Sequence, residues 1–191
     1  MTEEKKHDID YADPDEDAKV QASGLTDVQV VTGTEGEVCI YKQRIKLFRF
    51  RDNQWKERGI GNAKLLRNNE SLRIRFVMRQ EKTKKPCGNF VITEPPSCEL
   101  KPMANSDKAF MWACNDFSDG EASLDKLAAR FKDADQANEF KAVWEAAQKF
   151  NQDAKAGKGK DELTFADEVE DVEEKEEDDI DTNKTADADG E

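Results

Sequence analysis

The residues of this chain that could do chemistry are cationic and aromatic rather than nucleophilic. In 54-QWKERGIGNAKLLRN-68, Trp55 is followed at once by Lys56, Glu57 and Arg58. Around it lie Lys42, Arg44, Lys46, Arg49, Arg51, Lys64, Arg67, Arg73, Arg75 and Arg79. Guanidinium and ammonium groups beside one large aromatic suit the holding of an anion flanked by apolar surface. Catalysis is poorly supplied. The single histidine, His7, lies in an acidic head, so there is no Ser-His-Asp or Cys-His pair. Gly59-Ile60-Gly61 has neither a GxxxxGK[ST] frame nor a following helix, and its glycines read as a bulge or turn. Cys39, Cys87, Cys98 and Cys114 are far apart without a CxxC, which reads as free thiols half-buried on strands. The expectation is a non-enzyme with no cofactor and no metal.

Charge is unevenly distributed. Apolar residues make up 36% of the 191 and charged residues 38%, against roughly 45–50% and about 25% in an ordinary domain. Residues 1–36 carry ten acidic and three basic side chains, residues 37–116 nine acidic and seventeen basic, and residues 151–191 seventeen acidic and five basic. The formal net charge of −13 therefore hides a basic middle between acidic ends. The ends have too few large apolar side chains to offset the entropy of ordering, so 1–23 and 153–191 are expected to be disordered. No run approaches the roughly 18 apolar residues of a membrane span, and Met1–Asp10 is acidic where a signal peptide is basic and then apolar. A soluble, intracellular protein is expected.

The middle has the period of strands. In 38-VCIYKQRIKLFRF-50, Tyr41, Ile45 and Leu47 face one way, and Arg44, Lys46 and Phe48 the other. Asp52-Asn53 is a turn, Trp55–Ile60 a return strand, Ala63–Arg67 its continuation and 68-NNE-70 another turn. Leu72, Ile74, Phe76 and Met78 share one face of the next strand. A basic loop at Lys82–Pro86 leads to strands at Cys87–Ile92, Cys98–Lys101, Ala109–Cys114 and Leu124–Phe131. The period then changes. Asp133 with Gln136 fits a capping box, and Ala137, Phe140, Val143, Trp144, Ala147 and Phe150 share one face of a helix ending near Asn151. About seven antiparallel strands and one C-terminal helix make a small β-sandwich or half-open barrel plugged at one end.

A basic face on four adjacent strands is unfavourable unless an anion answers it. Nucleic acid, an anionic lipid headgroup and an acidic peptide all qualify, as does plain solvation. The acidic tail disfavours nucleic acid, because it competes for the patch. An acidic protein segment with an apolar part for Trp55 fits both charge and aromatic.

Several blocks closely resemble the Ran-binding domain family, in its small single-domain cytosolic form. They are 28-VQVVTGTEGE-37, 42-KQRIKLFRF-50, 55-WKERGIGNAKLL-66, 78-MRQEKTKKPCGNFVI-92, 99-ELKP-102, and 106-SDKAFMW-112 with 116-DFSDGE-121. They run in family order over about residues 28–150. The resemblance implies a pleckstrin-homology-like fold across 37–152 and, as partner, the GTP-bound form of the GTPase Ran. Residues 24–36 would be an arm reaching over Ran, with Val28, Val30, Glu35 and Glu37 in contact. Trp55 and Lys56, with Glu57 beside them, would grip Ran's C-terminal extension. Arg58 and the basic residues nearby (Lys42, Arg44, Lys46, Arg79 and Lys82) would meet its acidic end. The implied role is to assist the Ran GTPase-activating protein and to free RanGTP from nuclear transport receptors. It further implies a monomer in the cytoplasm, shuttling through the nucleus, with no nucleic acid or membrane partner.

Two departures stand out. The arm reads 34-TEGE-37 where the family is more acidic, and beyond the helix only Leu163, Phe165, Val169 and Val172 offer anchors for an export signal. The competing reading is a pleckstrin-homology-like phosphoinositide binder using Lys82, Lys84 and Lys85. A third is a scaffold for proline-rich or acidic peptides, indifferent to nucleotide state.

Overall fold

A computed structural model of the chain describes residues 33–158. The head, most of the arm including Val28 and Val30, and the tail from 159 onward with its candidate export residues lie outside the described residues.

The strands are β1 (Glu37–Arg51), β2 (Gln54–Asn68), β3 (Ile74–Arg79), β4 (Pro86–Val91), β5 (Lys101–Pro102), β6 (Ala109–Asp116) and β7 (Ser123–Arg130), and α1 spans Ala134–Lys155. They form one antiparallel sheet in the order β4-β3-β2-β1-β7-β6-β5. The sheet curls until β4 and β6 nearly meet. There the Phe117 N–H donates to Asn89 O at 2.9 Å, and the Asp116 carboxylate accepts the Asn89 N–H at 2.7 Å. Nearby the Cys98 N–H donates to Ala113 O at 2.7 Å. This is a half-barrel of pleckstrin-homology-like form.

The alternation in the sequence accounts for the core. Tyr41, Ile45 and Leu47 of β1 are buried, as are Ile74, Phe76 and Met78 of β3. Into this concave face α1 lowers Ala137, Phe140, Trp144, Ala147 and Phe150. Trp144 lies 5.0 Å from Trp112 and 5.2 Å from Phe140, ring centre to ring centre. Polar side chains on the same helix fasten it. Trp144 Nε1 donates to Cys98 O at 2.8 Å, and Gln148 Nε2 to Thr93 O at 2.8 Å. Asn151 Oδ1 accepts the Ile74 N–H at 2.7 Å, while its Nδ2 donates to Ile74 O at 2.8 Å and Ile92 O at 2.6 Å.

Several expectations need correction. Asn151 does not end the helix, because its amide clamps strand ends while the helix runs on to Lys155, one turn into the expected tail. The capping box is half formed. Asp133 accepts the Gln136 N–H at 2.8 Å, but Gln136 Oε1 is buried without a hydrogen-bond partner among the described residues. The strand expected at Cys98–Lys101 shrinks to Lys101–Pro102, since Cys98 takes a left-handed conformation (φ 57°) that a ladder does not accept. Leu72 (φ 59°) likewise stands before β3, though it still packs on the core. All four cysteines are fully rather than half-buried free thiols, and burial pushes the Cys87 and Cys114 thiols up.

The glycines of WKERGIG make no turn, and β2 runs straight through them. A bulge does occur beside them: Leu47 pairs Gly59 but Phe48 pairs Glu57, which leaves Arg58 as the extra residue. The need for Gly61 is close approach. A Cβ there would lie 2.2 Å from the backbone oxygen of Arg79, and one on Gly59 would lie 3.0 Å from Cys87 Sγ. Gly61→Ala must push the β3–β4 loop outward and strain the Glu81 N–H···Ile60 O bond (2.9 Å). We expect it to cost roughly 1–3 kcal/mol, read as a lowered urea midpoint. An unchanged midpoint would show that the loop yields freely.

Candidate partner-binding site

The β1–β2 hairpin carries the site. Asp52 and Asn53 both take left-handed conformations (φ 53° and 58°), the two-residue turn whose twist matches that of the strands. Leu47 points into the core, so Phe48 and Phe50 stand on the outer face. Trp55 pairs directly across from Phe50 and meets it edge-on, with centroids 5.2 Å apart at 63°. All three rings are half-buried. Lys126 Nζ sits 5.0 Å from the centre of the Phe50 ring and Lys46 Nζ 5.6 Å from that of Phe48. The result is an aromatic strip edged with ammonium groups, able to hold an apolar segment with carboxylates beside it.

The basic face is answered largely from within. Arg44 pairs with Glu81 at 2.9 Å and Lys46 with Glu57 at 2.8 Å. Lys56 pairs with Asp52, Arg58 with Asp119 and Arg51 with Asp125. Arg49 reaches Asp119 at 2.6 Å and Asp125 at 3.6 Å, and Arg75 grips Glu37 at 2.6 Å. The expectation that these cations are answered from outside is thereby corrected for seven of the twelve. It counted charges strand by strand, whereas the fold brings in acids from distant positions. Most of these pairs have an exposed partner and each contributes little to stability.

Of the residues proposed as contacts, Trp55, Lys46 and Glu57 come together on the outer face of the hairpin. Lys56 is exposed beside the turn, and Lys42 and Arg44 continue along β1, with Lys42 directly opposite Lys64. Arg58 is turned toward the β6–β7 connection, where Asp119 and Ser118 hold it. Arg79 and Lys82 stand apart at the β3–β4 loop, and Arg79 donates to Lys84 O at 3.3 Å. Glu35 is exposed before β1, while Glu37 is committed to Arg75. Lys82, Lys84 and Lys85 are all exposed. Their loop lies against Ile60, roughly 20 Å along β2 from the hairpin tip at about 3.3 Å per residue. The two loops do not converge into one cradle for a headgroup.

Sequence reasoning missed Phe50, Lys126, Asp119 and Asp125. Phe50 had a signal, since with Phe48 it alternates with Leu47 and so must leave the core. The aspartates had none, because their partners are long-range.

Asp119 sets a pH dependence. Hydrogen bonds from Arg49 and then Arg58 hold its carboxyl below the usual carboxylate range. Burial pulls the Arg49 guanidinium down, but the hydrogen bond and charge of Asp119, with Asp125 and Asp116, outweigh it and leave it raised. A carboxyl depressed in the folded state contributes stability above its unfolded value of about 4 and loses it as pH falls through the folded one. The chain should therefore weaken below about pH 4. Asp119→Asn should narrow the gap in urea midpoint between pH 7 and pH 3, and an unaltered gap would remove Asp119 from the acid response.

A half-barrel with a displayed aromatic–basic hairpin defines a protein-docking module of pleckstrin-homology-like fold. A family model described as the RanBP1 domain matches residues 29–150, and the chain belongs to that family. It is 48% identical over 124 residues to the E3 SUMO-protein ligase RanBP2 of Homo sapiens and to RANBP2-like and GRIP domain-containing protein 8 of Homo sapiens. Each match covers 64% of this chain but only 4% and 7% of those proteins. Among solved structures, the Ran binding domain of the nuclear complex component Nup2 from Ashbya gossypii superposes with a TM-score of 0.52 at 20% identity. That match covers 61% of this chain and 99% of the other, and it speaks for the fold.

Proposed function

We propose that this chain binds Ran in its GTP-bound form and holds Ran's acidic C-terminal extension along the outer face of the β1–β2 hairpin. The observation that carries the reading is the outward Phe48–Phe50–Trp55 strip, edged by Lys46 and Lys126, in a chain of the RanBP1 domain family. The domain is a binding module. The chemistry of hydrolysis belongs to Ran and its activating protein, which this chain assists by keeping the extension away from the GTPase body. The same grip loosens RanGTP from transport receptors, and this role places the protein in the cytoplasm with passage through the nucleus. Lys42, Arg44 and Lys56 supply charge for the acidic end, and the arm from Val28 to Glu37 supplies a second contact. Arg58 acts from behind, by holding the β6–β7 connection against the hairpin.

Selectivity for the GTP state follows if the extension is free to leave Ran's body only in that state. A ligand shifts such an equilibrium by its differential affinity alone. Titration with Ran carrying a GTP analogue or GDP should give affinities at least roughly tenfold apart, about 1.4 kcal/mol. Equal capture of both forms would overturn the reading. Binding to phosphoinositide vesicles, with no response to Ran, would install the lipid alternative in its place.

A further inference from the structure

The block 116-DFSDGE-121 forms the β6–β7 connection, and the docking site does not explain its serine. Ser118 Oγ donates to Asp116 Oδ2 and accepts from Arg58 Nη2 at 3.4 Å. Asp116 is 1% exposed and its other carboxylate oxygen ties down the Asn89 N–H. Around Ser118 the charges balance, with Arg49, Arg51 and Arg58 facing Asp116, Asp119 and Asp125.

The peptide around this serine is presented outward. Phe117, Asp119, Gly120, Glu121 and Ala122 are exposed and Ser118 is half-buried. Gly120 takes φ 94°, and its N–H returns to Phe117 O at 3.0 Å, closing a turn that a side chain at position 120 would strain. Asp119 and Glu121 lie one and three residues after the hydroxyl. A kinase whose substrate groove is basic reads this spacing. Thr34-Glu35-Gly36-Glu37 repeats the spacing, but there the second acid, Glu37, is gripped by Arg75 through two bonds of 2.8 and 2.6 Å.

We propose that Ser118 is a phosphorylation site for a protein kinase that selects acidic residues downstream, and that the phosphate unfastens the β6–β7 connection from the hairpin. In the transfer, Ser118 Oγ bonds to the γ-phosphorus of ATP, the bridging P–O bond breaks to release ADP, and the hydroxyl proton leaves to the kinase's base. The product carries a charge of about −2 and no longer has the O–H that satisfied Asp116. Balanced charges become an excess of negative charge. Asp116 and Asp125 are each 1% exposed and cannot move away. Asp119 is exposed and can. The fixed Asp116 and Asp125 carboxylates repel the phosphate, and residues 117–121 swing out with it, which breaks the Ser118–Asp116 and Arg58–Asp119 contacts.

The test treats the full chain, its Ser118→Ala, Glu121→Gln and Glu37→Gln variants, and a free peptide of residues 113–124 with an acidophilic serine/threonine kinase and ATP. Phosphate is mapped by mass spectrometry. Ser118 should be modified in the full chain, lost in Ser118→Ala, slowed in Glu121→Gln and unaffected by Glu37→Gln. Amide exchange at Phe117 and Gly120 should then quicken roughly tenfold, the protection that one hydrogen bond confers. Modification of the peptide but not the chain would show that the fold shields Ser118, and modification of neither that the block is not read. Either result overturns the site. Phosphate at Ser118 with unchanged exchange would overturn the release.

Discussion

Replacing Trp144 with alanine should lower the stability of the domain by about 3–5 kcal/mol, the usual cost of truncating a large buried aromatic. The side chain is fully buried, and its ring contacts Phe76, Phe90, Trp112 and Phe140 at centroid distances of 6.2, 6.0, 5.0 and 5.2 Å. It is the meeting point of β3, β4, β6 and α1, so the void cannot be filled by moving one neighbour. The indole N–H is a second loss, since it bonds Cys98 O. That carbonyl keeps Gln148 at 3.1 Å, so it is not orphaned and this part of the cost is small. Trp144→Phe keeps most of the volume and should cost less than half as much. The measurement is equilibrium urea unfolding at neutral pH, with the slope unchanged and the midpoint shifted. A domain holds roughly 5–15 kcal/mol in all, so the alanine variant stands near the threshold of folding. A loss under about 1 kcal/mol would mean that α1 is not anchored through this residue.

Trp55→Ala should do the opposite, sparing the fold and damaging binding. Trp55 stands on the outer face of the hairpin, against the single ring of Phe50. A cross-strand aromatic pair contributes roughly 0.2–1 kcal/mol to a sheet, and that bounds the loss of stability. A tryptophan at the centre of an interface costs about 2 kcal/mol or more on truncation, roughly thirtyfold in Kd. Calorimetric titration against Ran carrying a GTP analogue, beside urea unfolding of the same sample, separates the two losses. Phe50→Ala should reproduce part of the binding defect, because it removes the surface on which the indole rests. If affinity falls only as far as stability does, the strip is structural and the partner binds elsewhere.

Local regularities were legible from the residues. The two-residue period of β1 and β3 separated core from surface, Asp52-Asn53 announced the hairpin, and the helical spacing of Phe140, Trp144 and Phe150 named the face that docks. These depend on neighbours a few positions apart, and side-chain period and turn chemistry act over that range. The blocks from WKERG to DFSDGE also carried the family, which the match over residues 29–150 shows.

What tertiary structure alone decided is where charges meet and where backbones touch. Arg49 and Asp119 are 70 positions apart, Arg51 and Asp125 are 74, and the Asn151 clamp on Ile74 spans 77. No periodicity records such a pairing, so a face that reads as bare cation gains carboxylate partners from distant positions once the sheet curls. Gly61 is the same lesson in steric form. In the sequence it resembles a turn, and only the oxygen of Arg79, 2.2 Å from where its Cβ would be, makes it a point of contact. Coulombic and steric terms depend on distance through space, which chain order does not reveal until the core has closed.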